Sequence, residues 1–122
     1  MTRYRLSAAA QADIVDILAH SQANFGEAAR LRYEALLLTA LRDIAASPRR
    51  TGTLDRPELG AGARTWHLRD SRERARTASG IVRSPRHLVL FRVEADGTIA
   101  VGRVLHDAME LARHRPTPLD WD

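Results

Sequence analysis

Hydrophobic residues recur at helical spacing along the first third of the chain. A short alternating stretch at Tyr4–Leu6 is followed by Ser7, a favoured helix N-cap, and then by apolar positions three or four residues apart. These positions are Ala10, Ile14, Ile17, Leu18, Ser21 and Phe25. Gly26 ends this helix, and a second helix is predicted over residues 27–47, before Pro48. Because the link between the helices is so short, we expect them to form a hairpin.

The second half of the chain alternates with a period of two, which is typical of β-strands. Strands are predicted over residues 63–68, 87–93 and 98–105, and Asp96-Gly97 predicts a tight hairpin turn between the last two. Gly- and Pro-rich residues 49–62 are predicted to be a loop. Residues 69–80 are polar and without periodicity, so they predict a mobile loop.

The order of elements indicates an α+β domain. We expect a short N-terminal strand and the helical hairpin to pack on a small antiparallel sheet of three to four strands. A length of 122 residues fits one domain, 1–122. After the last strand, residues 107–122 are polar, and they predict a docking tail whose only anchors are Met109 and Leu111.

Composition narrows the function classes. The chain has no cysteine, which removes disulfides and thiolate chemistry. It has no apolar run of the ~20 residues that a membrane span needs, and its N-terminus lacks the apolar core of a signal peptide, so we expect a cytoplasmic protein. Residues 49–92 hold eleven arginines and four acidic residues, a net charge of +7. This surplus indicates either a surface for an acidic protein or nucleic acid, or a solvated loop.

Two segments near the C-terminus resemble a known family. Ser-Pro-Arg-His-Leu-Val-Leu-Phe-Arg-Val (84–93) and Ile-Ala-Val-Gly-Arg-Val-Leu-His-Asp-Ala-Met-Glu-Leu-Ala-Arg-His-Arg-Pro (99–116) resemble ParE toxins, in the RelE/ParE superfamily of bacterial type II toxin-antitoxin modules. The opening Leu6-Ser-Ala-Ala-Ala-Gln-Ala-Asp13 is similar too. The resemblance implies inhibition of DNA gyrase and neutralisation by a ParD-like antitoxin in a hetero-oligomer. RelE-like relatives instead cleave messenger RNA on the ribosome, and a shared fold does not choose between these activities.

The residues of this chain favour gyrase inhibition over RNA cleavage. RNA cleavage needs an acid, a base and cationic groups in one place, for which the chain offers Arg64, Arg103 and His106. The resemblance to RelE-type toxins implies a cluster of Lys or Arg with a Tyr or His near the last strand. The chain has no lysine, and its only tyrosines, Tyr4 and Tyr33, lie in the N-terminal half, which weakens the nuclease hypothesis. A third hypothesis is an inactive family member that acts only as an antitoxin-binding module.

The leading hypothesis needs no catalytic residue, cofactor or metal. His106 and His114 with Asp107 or Glu110 match no closed metal-site spacing. His106 at a strand exit either bonds a neighbouring backbone carbonyl or a carboxylate such as Asp107, or moves a proton, and Arg103 either pairs with an acid or contacts the antitoxin.

Partner-binding residues are predicted on the second helix and near the C-terminus. The apolar face of the helix exceeds what a small sheet needs, and surplus apolar surface often marks an interface. The predicted contacts are Leu31, Leu37, Leu38, Leu41, Arg103, His106, Met109, Leu111 and Arg113.

Overall fold

The two predicted helices form a hairpin at the N-terminus. The computed structural model describes residues 3–109, 111–114 and 121, with the side chains of Ala112 and His114 left out. Helix α1 is Ala8–Phe25 and helix α2 is Glu27–Ala46. The hydroxyl of Ser7 accepts the amide of Ala10 at 3.0 Å, as its N-cap position predicts. Gly26 separates the helices with a φ of 91°, which only glycine adopts without strain.

Within the described residues, the sheet has five strands: β1 Tyr4–Leu6, β2 Leu54–Asp55, β3 Arg64–His67, β4 His87–Val93 and β5 Ile99–His106. Their order is β1-β5-β4-β3-β2, and every neighbouring pair is antiparallel except β1 and β5. The α+β class is confirmed, but the sheet is mixed and larger than predicted. β1 runs parallel to β5 at the sheet edge, and the hydrophobic pattern within a short segment does not predict a pairing between distant parts of the chain. β2 has only two residues, too few to show the alternation of a strand.

Each face of the sheet is covered by a separate apolar cluster. The larger cluster lies under the helical hairpin and includes Leu36, Leu41, Ile44, Trp66, Val89, Phe91, Val101 and Val104. The smaller one, which we call the second-face cluster, consists of Leu59, Ala63, Leu90, Ala100 and Trp121, with Leu111 packed against it.

Trp121 corrects the prediction for the C-terminus. Its side chain is 3% exposed, and the Arg92 guanidinium lies 4.8 Å from its ring centroid. The predicted tail is therefore anchored by Trp121 and Leu111, whereas Met109, predicted as an anchor, is 42% exposed. Residues 110, 115–120 and 122 of that tail lie outside the described part.

The segment predicted as a mobile loop contains a 3₁₀ helix, Leu68–Ala75, in which Ser71 and Ala75 are buried. Ser71 accepts the Trp66 indole N–H at 2.9 Å and donates to Asp43 at 2.6 Å. Arg74 also bonds Asp43, at 2.6 Å. Burial raises the pKa of Asp43, but the hydrogen bonds from Arg74 and Ser71 outweigh it and hold that pKa below its ordinary value. The polar side chains of this segment thus anchor it to α2.

Within the described ranges, no helix is both long and apolar enough to cross a bilayer.

Candidate functional site

Arg103 is held at the edge of the sheet by α1. Since β1 pairs only with residues 99–101, no strand of the described part lies along the outer edge of β5 beyond Val101. Ser7 Oγ donates to the Gly102 carbonyl at 2.8 Å, and Asp13 Oδ2 accepts the Val104 amide at 2.9 Å. The Arg103 guanidinium donates to both Asp13 carboxylate oxygens, at 2.8 and 2.9 Å. The structure therefore shows the first role predicted for Arg103, an ion pair with an acid; contact with the antitoxin stays a prediction.

Arg64 lies far from His106 along the sheet. Arg64 is opposite Phe91 of β4, whereas His106 is opposite His87, four residues further along the same strand. Since Arg64 and His106 also lie on opposite sides of β4, about 3.3 Å per residue along the strand and about 4.8 Å between neighbouring strands place the two backbone positions about 16 Å apart. The Arg64 side chain is buried and bonds Asp55 and the Thr53 hydroxyl. The structure therefore does not bring Arg64, Arg103 and His106 into one catalytic centre.

Three histidines instead lie around Asp107, the residue that follows β5. His67 ends β3, His87 begins β4 and His106 ends β5. His67 Nε2 lies 2.9 Å from Asp107 Oδ2, and Arg86 Nε donates to Asp107 Oδ1 at 2.9 Å. The rings of His87 and His106 meet edge to face, with centroids 5.2 Å apart. Tyr33 Oη of α2 is 2.5 Å from His87 Nδ1. We call these six residues, Tyr33, His67, Arg86, His87, His106 and Asp107, the histidine cluster.

The hydrogen-bond partners assign a tautomer to two of the rings. His67 Nδ1 accepts the Arg69 amide at 3.1 Å, so its Nε2 carries the hydrogen that is donated to Asp107. His106 Nδ1 accepts the Ala108 amide at 3.0 Å, so the neutral ring presents Nε2–H. His106 therefore acts as a hydrogen-bond acceptor at the strand exit and keeps one donor for another group.

The charges in the cluster are fixed by burial and by Arg86. The Arg86 hydrogen bond lowers the pKa of Asp107 to about 2. Burial lowers the pKa of His87 to about 4, with a smaller contribution from His106. Burial raises the pKa of Tyr33 to about 12. Near neutral pH, His87 is therefore neutral and Tyr33 keeps its proton, so the two share one hydrogen bond whose donor is set by the tautomer of His87.

The histidine cluster opens into a groove of about 850 Å³ between the helical hairpin and residues 79–86. The apolar side chains that line it are Ile17, Phe25, Ala29, Ile81 and Val82. The basic and imidazole side chains are His20, Arg32, Arg83, Arg86, His87 and His106. Asp16 is the single carboxylate among the lining residues that the structure describes. Sequence reasoning missed this groove, because the residues that form it come from four separate segments.

The predicted partner-binding leucines divide into two groups. Leu31 and Leu38 are 48% and 39% exposed, as a binding surface requires. Leu37 and Leu41 are only 3% and 5% exposed, because they pack on the sheet, so their assignment to a partner surface was wrong.

Two exposed apolar residues of α1, Val15 and Phe25, were not predicted as contacts, although they are 65% and 72% exposed. Phe25 was assigned to the apolar stripe of α1, and Val15 lies outside that stripe. Near the C-terminus, Met109 and Arg113 are exposed, whereas Leu111 packs against the second-face cluster.

Comparison with protein-family models identifies the chain. Residues 4–111 match the model described as the ParE toxin of the type II toxin-antitoxin system parDE. The chain belongs to the ParE toxin family. The match covers both helices and all five strands, and it confirms the resemblance that the two C-terminal segments indicated. A comparison with curated proteins found no match.

The spacing of His106, Asp107, Glu110 and His114, at the end of the ParE match, predicted no metal site. Among residues 3–109, 111–114 and 121, the structure has no group of three His, Asp or Glu side chains that could hold a metal ion. Glu110 and the side chain of His114, which completed the hypothetical ligand set, lie outside the described part.

Proposed function

We propose that this ParE-family chain is a cytoplasmic toxin that inhibits DNA gyrase by binding it, and that a cognate ParD-like antitoxin neutralises the toxin in a hetero-oligomer. The observation that carries the proposal is the separation of the groups that RNA cleavage would need. Arg103 is paired with Asp13, Arg64 is paired with Asp55, and Arg64 and His106 lie at opposite ends of the part of β4 that pairs with β3 and β5. A toxin that acts by binding does not require these groups to converge.

Exposed apolar residues on the helical hairpin support the proposal that an antitoxin binds this chain. Val15 and Phe25 of α1 and Leu31 and Leu38 of α2 remain exposed while the core beneath them is complete. Apolar surface that folding leaves uncovered is the usual contact area of a partner protein.

Two assays run side by side test the proposal. The purified chain should inhibit supercoiling by DNA gyrase, and the product of the neighbouring small reading frame should relieve that inhibition. In a translation-coupled assay, the chain should leave messenger RNA intact. His106→Gln keeps a hydrogen-bond acceptor but not an exchangeable imidazole proton, and it should inhibit gyrase as the wild type does.

One observation favours RNA cleavage as a second candidate function. Tyr33, Arg86, His87 and His106 lie together at an open groove, and acid-base chemistry on RNA uses side chains of these types. Ribosome-dependent cleavage by the wild type that disappears in a folded His106→Gln variant, without any effect on gyrase, would select this candidate over the first.

A further inference from the structure

The arginine surplus of residues 49–92 is unevenly neutralised. Seven of the eleven arginines are paired with a carboxylate, namely Arg50, Arg56, Arg64, Arg74, Arg76, Arg86 and Arg92. The others have no carboxylate partner among the described residues, and they are Arg49, Arg69, Arg72 and Arg83. The positive charge that remains open to a ligand is therefore concentrated in and beside the 3₁₀ helix Leu68–Ala75.

This 3₁₀ helix separates its acids from its unpaired arginines. A 3₁₀ helix has about three residues per turn, so residues at i and i+3 lie in one row. The row that is buried or bonded against α2 consists of Leu68, Ser71 and Arg74. Asp70 and Glu73 share a second row, and Arg69 and Arg72 share the third. No acid of the helix therefore lies in the row of the two unpaired arginines.

A contact outside the helix brings Arg83 next to this row. Arg72 Nη1 donates to the Arg83 carbonyl at 3.1 Å, so the two residues are neighbours although eleven positions separate them in the chain. Arg86 follows three residues later, but Asp107 offsets its charge at 2.9 Å. We call Arg69, Arg72 and Arg83 the arginine surface.

The arginine surface is held in place by the core beneath it. The 3₁₀ helix is tied to α2 by hydrogen bonds from Ser71 and Arg74 to Asp43, at 2.6 Å each. A charged segment that is already ordered loses less conformational entropy on binding than a solvated loop does. Of the two explanations for the arginine surplus, a binding surface and a solvated loop, the anchored helix favours the binding surface.

The surroundings of the arginine surface select the kind of ligand. The large apolar side chains that are exposed in the described part all lie outside residues 66–86, and they are Val15, Phe25, Leu31, Leu38, Leu54, Val93 and Met109. A protein partner needs apolar contact area, and a single nucleic-acid strand needs aromatic rings on which its bases stack. Trp66, the one Phe, Tyr or Trp of residues 66–86, is only 2% exposed. The phosphates of a duplex need only cationic donors, and a guanidinium fits a phosphate with two hydrogen bonds.

We propose that the arginine surface binds the phosphate backbone of duplex DNA. Arg69, Arg72 and Arg83 each donate to a phosphate, and phosphate contacts carry no sequence information, so the binding does not depend on base sequence. DNA gyrase acts on duplex DNA, and a toxin that binds gyrase meets the duplex there. The inference rests on the proposed function for the source of the DNA, whereas the binding itself is a property of the toxin alone.

The salt dependence of binding tests the inference. The probe is a short labelled DNA duplex, titrated with the full-length chain and followed by fluorescence anisotropy. Three phosphate contacts give log K a slope of about −2.7 against log salt, so affinity should fall about 40-fold between about 50 and 200 mM salt. The comparison ligands are one strand of the same DNA and an RNA duplex of the same length. The single strand should bind less tightly, because its bases find no exposed ring, and the RNA duplex should bind no more tightly than the DNA duplex.

Matched variants locate the binding site. Arg69→Gln with Arg83→Gln removes two of the three proposed contacts, and neither side chain takes part in a hydrogen bond within the described part. With one contact left, affinity should fall only about fourfold over the same salt range. The control, Arg3→Gln with Arg56→Gln, removes the same charge from arginines that are already paired with carboxylates, and it should keep the dependence of about 40-fold. Thermal melting of each variant verifies that it is folded.

Three outcomes would overturn the inference: an equal loss of affinity in the two double variants, tighter binding of the single strand, or tighter binding of the RNA duplex. The supercoiling assay separates the inference from the proposed function. If the chain inhibits gyrase but does not bind the DNA duplex, the inference falls and the proposed function stands. If the chain binds the duplex through the arginine surface but leaves gyrase active, the proposed function falls and the surface stands.

Discussion

Replacing Asp13 with alanine tests how the open edge of β5 is stabilised. The carboxylate accepts two bonds from the Arg103 guanidinium and one from the Val104 amide, and the Asp13 and Arg103 side chains are only 15% and 25% exposed. Removing one partner of a fully buried pair costs about 3–5 kcal/mol, and a buried amide left unbonded costs about 1–3 kcal/mol. Because water reaches part of this pair, we expect a loss of about 3 kcal/mol in the free energy of unfolding.

The loss is large enough to measure by thermal or denaturant unfolding. An unfolding entropy of about 2.1 cal/mol/K per residue converts about 3 kcal/mol into a decrease of about 12 °C in Tm for a chain of this length. Arg103→Ala should cost less than Asp13→Ala, since Asp13 still accepts the Val104 amide in that variant. The double-mutant cycle should give a coupling of about 1–2 kcal/mol.

Glu34→Ala is the control, because Glu34 forms an exposed i,i+4 pair with Arg30 at 2.9 Å. That substitution should change stability by less than about 0.5 kcal/mol. The reasoning is refuted if Asp13→Ala is as mild as Glu34→Ala, or if the cycle gives no coupling. Below its lowered Tm, the Asp13→Ala variant should still inhibit growth, since Arg103 is assigned a structural role.

The remaining predictions concern pH, the hairpin and the C-terminus. The folded-state pKa of Asp107, about 2, lies below the unfolded value of about 3.9. Its stabilisation is therefore complete above about pH 4 and lost as pH falls towards 2, so Asp107→Asn should flatten the plot of Tm against pH over that range. Leu41→Ala should cost about 3 kcal/mol in urea unfolding, whereas Leu31→Ser should cost less than about 0.5 kcal/mol yet reduce antitoxin capture; equal stabilities would contradict the burial of Leu41. Trp121→Ala should lower stability by about 3 kcal/mol in calorimetry, and an unchanged Tm would mean that Trp121 does not pack on the sheet in solution.

The sequence predicted those parts of the fold that local chemistry determines. Ser7, Gly26 and the Asp96-Gly97 turn each act within a few residues, and both helices and the β4–β5 hairpin lie where these signals place them. The parallel pairing of Tyr4 with Ile99 has no local signal, so the mixed sheet could not be foreseen. The segment around Ser71 was misjudged because its buried contacts are polar, and hydrophobic periodicity does not register a serine that bonds an aspartate.

The candidate site was less accessible to sequence reasoning. Periodicity identified a broad apolar face on α2, but it could not separate Leu38, which is exposed, from Leu41, which is buried one turn later. His87 and His106 each end a strand of the predicted hairpin, so their proximity could have been inferred from the turn. Tyr33 and His67 come from other elements, and only the packing of the sheet against α2 brings them to the same place.

The pairing of β1 with β5 has a consequence for biosynthesis. Within the matched domain, Tyr4, Arg5 and Leu6 leave the ribosome long before their partners Ile99, Ala100 and Val101. Contacts between such distant parts of a chain form late and slow the folding of a domain. Until residues 99–101 have left the ribosome, the nascent toxin lacks the β1–β5 pairing and its sheet is incomplete. The folded toxin therefore forms only after nearly the whole matched domain has been synthesised.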